Sequence, residues 1–204
     1  MTPQKSSVMA SSRDRLREAA KTLFAECGYE NTTTAAICRL AGTSQSQLIK
    51  HFIDKQGILE AIFEYTWEQI NPAVLLATES ITPPEEKLRV LIDMVLGFLE
   101  KDPAIRTLVL LEGRRIRGDG HMVVLVPGFI DFVKMLDGIL KELAAQSELA
   151  PHIHPQAFRS ALMGAVEGML RDQMLALTSG FPASHTEADM RAVVSSLLSS
   201  FMSK

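Results

Sequence analysis

Helical periodicity, interrupted by glycine and proline, is the feature that most limits how this sequence can fold. Apolar residues recur three and four positions apart in almost every segment, and no segment keeps the strict alternation of a half-buried strand. Over residues 12–27, for example, Leu16 and Phe24 share one face of a helix, while Arg17 and Lys21 lie on another. The pattern predicts an all-α fold.

Capping residues, glycines and prolines predict about nine helices. They cover residues 12–27, a short helix that ends at Gly42, a third capped by Thr43 or Ser44, and then 55–71, 84–101, 103–117, 126–146, 155–178 and 186–202. Gly28 is expected to adopt the left-handed conformation that ends the first helix. Ile37 and Leu40 are expected to face inward. Asn71-Pro72 is expected to end the fourth helix, because the residue before a proline avoids the α region.

Composition excludes several classes of protein. Of 204 residues, 47% are hydrophobic and 22% charged, which is ordinary for a soluble globular chain. The longest apolar runs fall far short of the roughly 20 residues that cross a bilayer. The first 15 residues lack the apolar segment of a signal peptide, so we expect a disordered arm on a cytoplasmic protein. Cys27 and Cys38 have no metal-ligand spacing and are expected to be buried, although a redox pair stays open.

Residues 31–52 predict two short helices joined by a tight turn at Gly42, the second of them polar on its outer face. This is the arrangement of a helix-turn-helix, in which the second helix enters a DNA major groove. Spacing alone is a weak signal, because many helical bundles contain short helices and glycine turns.

The neighbouring sequence is more specific. The run from Ala19 to Tyr29, the segment Thr32 to Ile37, Ala41-Gly42, and the Leu48, Phe52 and Asp54-Lys55 anchors resemble the N-terminal domain of the TetR family of transcriptional repressors. The resemblance implies DNA binding by residues 1–55 and effector binding and dimerisation by residues 56–204. It also implies a homodimer on a palindromic operator.

Charge agrees with this division. Residues 1–55 carry eight basic and five acidic side chains, whereas the whole chain has a net charge of −3. A basic end on an acidic body suits contact with phosphates, although a solvated helix face would give a similar count.

With Leu48 and Phe52 inward, the third helix presents polar and aliphatic side chains for base and backbone contact. Glutamine pairs with adenine, an aliphatic chain packs on a thymine methyl group, and helix starts bind phosphates. The predicted DNA-binding residues are Thr33, Thr43, Gln45, Ser46, Gln47, Ile49, Lys50, His51 and Lys55.

This helix departs from the common family pattern. Many relatives have Lys-Gly-Thr and Tyr-x-Tyr where this chain has Gln45-Ser46-Gln47 and Ile49-Lys50-His51. Two phosphate-binding tyrosines and one lysine are missing. We therefore expect a different operator and a weaker electrostatic contribution to binding.

The C-terminal helices carry two further predictions. The resemblance implies that the last two helices pair with their copies in a two-fold interface, and Gly164 and Gly168 would allow close helix approach there. Internal burial of the last helix is the alternative. Aromatic, thioether and polar residues are expected to line an effector cavity, although similar stripes usually belong to a core. These residues are Trp67, Ile70, Met94, Phe98, Leu110, Arg114, Phe129, Phe132, Met163 and Glu167.

Function is predicted accordingly. The chain should be a ligand-responsive regulator, most simply a repressor released by an apolar small molecule. The sequence shows no catalytic signature of an enzyme, no cofactor and no metal site, and His152 and His154 are expected in a loop. The alternative is a helical ligand-binding protein, or a non-inducible regulator, with weakened DNA binding.

Overall fold

The structure, a computed structural model, describes residues 11–113, 125–146 and 149–202. In these ranges the chain forms nine α-helices, and the all-α prediction is confirmed. They are α1 (Ser12–Cys27), α2 (Thr34–Leu40), α3 (Gln45–Phe52), α4 (Lys55–Thr78), α5 (Pro84–Lys101), α6 (Pro103–Glu112), α7 (Pro127–Ala145), α8 (Pro155–Ser179) and α9 (Glu187–Phe201).

The first three helices enclose a small core of their own. Leu16 and Phe24 of α1 are fully buried, and α1 packs against both α2 and α3. Ile37 and Leu48 supply the facing apolar surface. Phe24 also contacts the Tyr29 ring, at 5.1 Å between centroids. This core fixes α3 from behind and leaves its other side to solvent.

Helix α4 is shared by both parts of the molecule. Its N-terminal half packs against α1 and α3, and its remainder packs against α5 and α7. The predicted end at Asn71 is wrong, because α4 continues through Pro72 to Thr78. A proline inside a helix removes one hydrogen bond. Burial of Val74 and Thr78 beyond it outweighs that loss.

The C-terminal body is a helical bundle around α4. Helix α7 lies against α4, α5 and α8, while α6 contacts both α1 and α8. Helix α6 is described only to Glu112, so its predicted extension to 117 lies outside the described residues. An isolated bridge between Leu149 and Met202 joins the start of the α8 loop to the end of α9.

Several local predictions hold at the helix starts. The predicted caps Ser44, Asp54 and Asp102 each accept a side-chain hydrogen bond from a first-turn backbone N–H of the helix that follows. Thr186, which was not predicted as a cap, does the same for α9. These contacts depend only on neighbouring residues, which is why sequence reasoning finds them. The predicted bounds of α1, α7, α8 and α9 are correct within one residue.

Other local predictions are wrong for physical reasons. Leu40 is 56% exposed, because Cys38 and Ala41 rather than Leu40 neighbour Ile37 on the buried face of α2. Arg17, expected on a different face of α1 from Leu16, is only 6% exposed because its guanidinium packs against the ring of Tyr65 of α4. Gly28 has the expected positive φ of 82°, but its ψ of 152° is outside the left-handed helical region.

Two glycines of α7 test the packing of α4 against this helix. A Cβ at Gly128 would lie 2.6 Å from the Cβ of Trp67, whereas a Cβ at Gly138 would meet no atom within 4 Å. We expect Gly128→Ala to lower the free energy of unfolding by about 1–3 kcal/mol through overpacking. Gly138→Ala should raise it by about 0.5–1 kcal/mol through reduced backbone entropy of the unfolded chain. Urea denaturation measures both, and equal effects would contradict the close approach.

Candidate functional site

The outer face of α3 is the first candidate site. Ser44 Oγ accepts a hydrogen bond from Gln47 N at 3.3 Å and so caps the helix. Leu48 and Phe52 are buried behind it, as predicted. The structure places four predicted residues together on the exposed side, with Gln47 half-buried beside them: Gln45, Ser46, Ile49 and Lys50. This surface combines amide, hydroxyl, aliphatic and ammonium groups at the spacing of one helix face.

Thr33 and Thr43 lie at the starts of the two short helices. Thr33 is exposed, and its hydroxyl accepts a hydrogen bond from Ala36 N at 3.1 Å. Thr43 is half-buried and follows Gly42, whose φ of +59° makes the tight turn between α2 and α3. Unpaired backbone N–H groups at such helix starts attract anions.

His51 links α3 to α1. Its Nε2 lies 2.9 Å from Ser12 Oγ, within hydrogen-bond distance. The guanidinium of Arg13 lies 5.7 Å from the centroid of the neighbouring Phe52 ring. Arg15 Nε also donates to the Ala41 carbonyl at 3.1 Å. The start of α1 therefore holds both short helices from one side.

Lys55 does not have the geometry predicted for it. Its Nζ donates to the carbonyl oxygens of Tyr29 and Thr32, at 2.8 and 3.2 Å, and lies 4.2 Å from the centroid of the Tyr29 ring. The ammonium is thus directed at the loop between α1 and α2 instead of at a phosphate. Its role in this structure is to fasten the start of α4 to that loop.

The second candidate site is an apolar cavity of about 310 Å³ inside the C-terminal body. Helices α4, α5, α6, α7 and α8 all contribute to its wall. One side is aromatic, since the Trp67 ring contacts those of Phe132 and Phe129 at 4.6 and 5.4 Å between centroids. An apolar cavity of this size suits a small hydrophobic ligand.

Few polar groups face the cavity. The Thr66 hydroxyl donates to the Ile62 carbonyl at 2.8 Å, as threonines in helices commonly do. The Glu167 carboxylate is paired with the Arg171 guanidinium one turn along α8. Glu167 also lines the cavity, so its charge is balanced from the outer side of α8.

Seven of the ten predicted cavity residues lie around this one space: Trp67, Ile70, Leu110, Phe129, Phe132, Met163 and Glu167. Met94 and Phe98 do not, because the side of α5 that faces the cavity carries Leu91, Val95 and Leu99. Met94 and Phe98 pack against the core on a neighbouring side of α5. Arg114 lies outside the described residues.

Sequence reasoning missed most of the aliphatic part of the wall. Five aliphatic residues of α5, Ile105 and Val109 of α6, and leucines of α7 and α8 contribute to it. Such residues at helical spacing have the same pattern whether they fill a core or surround a space. Only the arrangement of five helices distinguishes the two.

A surface of small residues runs along α8 and α9. Ala157 and Ala161 of α8 are exposed, and a Cβ at Gly164 or Gly168 would meet no atom within 4 Å. On α9, Met190, Val194 and Leu198 are buried inside the chain, which is the internal burial that the sequence left open. The exposed side of α9 carries Ala192, Val193, Ser196 and Ser200.

The cysteines differ from the prediction in one respect. Cys27 is exposed rather than buried, because it lies in the last turn of α1, whereas Cys38 is buried as expected. Burial raises the pKa of the Cys38 thiol and so disfavours its reactive thiolate.

Metal-binding clusters and membrane-spanning helices are both absent from the described ranges. In these ranges no three His, Cys, Asp or Glu side chains are grouped so as to hold a metal ion. None of the described helices is both long and apolar enough to span a membrane.

Known proteins resemble the chain in sequence and in fold. Residues 16–62 match the bacterial regulatory proteins of the tetR family. The nucleoid occlusion factor SlmA of Aliivibrio fischeri is 25% identical over 162 residues, which cover 76% of this chain and 80% of SlmA.

Two solved structures share the fold. FadR from Bacillus subtilis, in complex with stearoyl-CoA, has a TM-score of 0.76 and 20% identity over 93% of this chain and 97% of its own. AibR, in complex with isovaleryl coenzyme A and operator DNA, has a TM-score of 0.71 and 18% identity over 93% of this chain and 99% of its own.

The resemblance to the tetR family of regulatory proteins that the sequence predicted is therefore confirmed over residues 16–62. The matched segment spans α1 to α3 and the start of α4, and so contains the whole exposed face of α3.

The contacts of Lys55 give a direct prediction. Lys55→Met removes a charged donor from two carbonyls, and we expect the free energy of unfolding to fall by about 1.5–3 kcal/mol. Lys50→Met, on the exposed face of α3, should stay within about 0.5 kcal/mol of the wild type. Urea denaturation followed by circular dichroism measures both. An unchanged stability of Lys55→Met would show that its contacts to Tyr29 and Thr32 contribute nothing.

Proposed function

We propose that the protein is a ligand-responsive repressor that binds a palindromic operator as a homodimer. The observation that carries this proposal is the exposed polar face of α3, held from behind by Leu48 and Phe52 within the segment that matches the family. Residues 1–55 are its DNA-binding part, and residues 56–204 its effector-binding and dimerisation part. In a two-fold dimer the two α3 helices would reach half-sites about 34 Å apart, or a multiple of that, along the duplex.

The face of α3 suggests a division of contacts. Gln45, Ser46, Gln47 and Ile49 would read base edges, because amides pair with adenine and an aliphatic chain packs on a thymine methyl group. Thr33, Thr43 and Lys50 would contact phosphates, with His51 beside them. Lys55 is left out of this set because its ammonium is already bound to two carbonyls.

The cavity would hold the effector. Its apolar walls favour a ligand with a hydrocarbon portion, and two proteins of the same fold hold acyl-CoA molecules. We propose an acyl-bearing effector whose chain lies between Trp67 and the leucines of α5. Release of DNA then requires only that the effector bind one arrangement of the bundle more tightly than the other.

The surface of small residues on α8 and α9 supports a homodimer. Alanine, glycine and serine side chains let helices approach closely, and a two-fold axis would pair each helix with its copy. The alternative function is that of a ligand-binding protein, or a non-inducible regulator, with weakened DNA binding. The tyrosines missing from α3 are the observation that favours it.

Selection of bound fragments from genomic DNA tests the proposal against this alternative. We expect enrichment of one palindromic sequence, and with it a steep loss of affinity as salt rises, since phosphate contacts release counterions. Lys50→Met should reduce the slope of log affinity against log salt by about one, because one phosphate contact is lost. Lys141→Met, an exposed substitution on α7, is the matched control and should leave the slope unchanged. No enrichment would support the alternative.

Gly168→Arg tests the dimer. A Cβ at this position would meet no atom of its own chain within 4 Å, so we expect the far-UV circular dichroism to be unchanged. In a closely packed interface it would clash with the second copy, and we expect the dimer dissociation constant to rise at least tenfold by sedimentation equilibrium, roughly 1.4 kcal/mol. Gly138→Arg introduces the same side chain at another open glycine, on α7, and should have no such effect. A monomeric wild type at micromolar concentration would contradict the proposal outright.

A further inference from the structure

Helix α1 is fastened to the C-terminal body at two points one helical turn apart. The guanidinium carbon of Arg17 lies 3.5 Å from the centroid of the Tyr65 ring on α4. Lys21 Nζ lies 2.9 Å from Asp102 Oδ2, at the start of α6. The first contact joins α1 to α4, the helix that follows α3 in the chain. The second joins α1 to the start of α6, which is far from α1 in sequence.

Asp102 makes two contacts with its two oxygens. While Oδ2 accepts from Lys21, Oδ1 accepts from the backbone N–H of Ile105 at 3.1 Å and caps α6. The Lys21 and Asp102 side chains are only 20% and 27% exposed, and Lys21 also contacts Glu18 at 2.8 Å. Partial burial acts to lower the pKa of Lys21, but the hydrogen bonds to Glu18 and Asp102 prevail and raise it. Because both side chains are mostly buried, solvent and salt screen this ion pair less than an exposed pair.

The same turn of α6 forms part of the cavity wall. Ile105, whose N–H is bound by Asp102, lines the cavity and is fully buried. Val109, Leu110 and Gly113 continue the wall along α6. A ligand that displaces α6 must therefore displace Asp102, because the carboxylate is anchored on the backbone of that helix.

At its other end α1 holds the proposed reading helix. Ser12 is within hydrogen-bond distance of His51 on α3, and Arg15 donates to the carbonyl of Ala41. Leu16 and Phe24 of α1 are buried in the core shared with α3. A shift of α1 is consequently a shift of α3.

We infer that the Lys21–Asp102 ion pair couples the cavity to the orientation of α3, so that both are positioning residues for the response to effector. This inference rests on the proposed function, since it assigns the connection between the cavity and the DNA-binding face. The ion pair would connect the cavity to α3 through α6 and α1, in addition to the connection that α4 makes as one continuous helix. Neither residue contacts the cavity or the outer face of α3.

Two variants isolate the ion pair from other roles. Lys21→Met removes the cation and leaves the cap of α6 intact. Asp102→Asn removes the anion but keeps an oxygen able to cap α6. The matched control is Lys87→Met, which breaks the pair between Lys87 and Glu142 at 2.8 Å, a half-buried lysine contact confined to the C-terminal body.

A cavity-filling substitution replaces the unidentified effector. Val109→Trp enlarges a side chain of α6 that faces the cavity. Operator affinity is measured by fluorescence anisotropy with and without this substitution, on a duplex selected with the wild-type protein. Stearoyl-CoA serves as a second probe. The quantity compared is the ratio of DNA affinities with and without the perturbation.

In the wild type we expect this ratio of DNA affinities to differ from one by at least fivefold. In Lys21→Met and Asp102→Asn it should lie within twofold of one. In Lys87→Met it should equal the wild-type ratio. Basal DNA affinity of the two pair variants should stay within threefold of the wild type. An equal ratio in every background overturns the inference and leaves the proposed function standing. A ratio of one in the wild type overturns both, because the cavity would then have no influence on DNA binding.

A reciprocal measurement needs neither Val109→Trp nor a ligand. Coupling between two sites acts in both directions, so DNA must change the protection of α6. Amide hydrogen exchange over Pro103–Glu112 should slow when DNA is added to the wild type, and should not change in Lys21→Met. Slowing of the same size in both proteins would overturn the inference even if Val109→Trp failed to fold.

Discussion

Burial of α4 along its whole length is the constraint on which the rest of the structure depends. Ile58 and Leu59 near its start are fully buried, whereas Trp67 and Ile70 further along line the cavity. The same helix therefore packs against α3 near its start and forms part of the cavity wall further along. The hydrophobic effect acts on both halves together, at about 25 cal/mol per Å² of apolar surface, so neither half is free to leave the other.

The parts of the fold that could be predicted from sequence are those set by near neighbours. Caps such as Ser44 and Asp102 bind the N–H groups of residues three positions ahead, and their helices begin where expected. Predictions failed where a distant contact prevails. Pro72 does not end α4, because burial of the residues beyond it outweighs the loss of one hydrogen bond.

The two candidate sites differ in the same way. The outer face of α3 follows from the inward direction of Leu48 and Phe52, which is a property of one helix, and its members were found together. Lys55 is the exception, since its carbonyl partners lie more than twenty residues earlier. The cavity is a space left between five helices, so its aliphatic wall has no sequence pattern of its own.

Apolar and charged contacts between α1 and the C-terminal body restrict the relative motion of the two in different ways. Apolar surfaces attract without fixed direction, and packed helices can slide by small distances while their burial is nearly unchanged. An ion pair that also caps a helix depends on the position of its atoms, because Asp102 must satisfy both Lys21 and Ile105. In this protein the core helix α4 supplies cohesion, while α1 meets α4 and α6 through charged side chains at Arg17 and Lys21. Contacts that depend on atomic positions therefore stabilise one arrangement of the bundle relative to another. The apolar core alone would favour one arrangement over another only weakly.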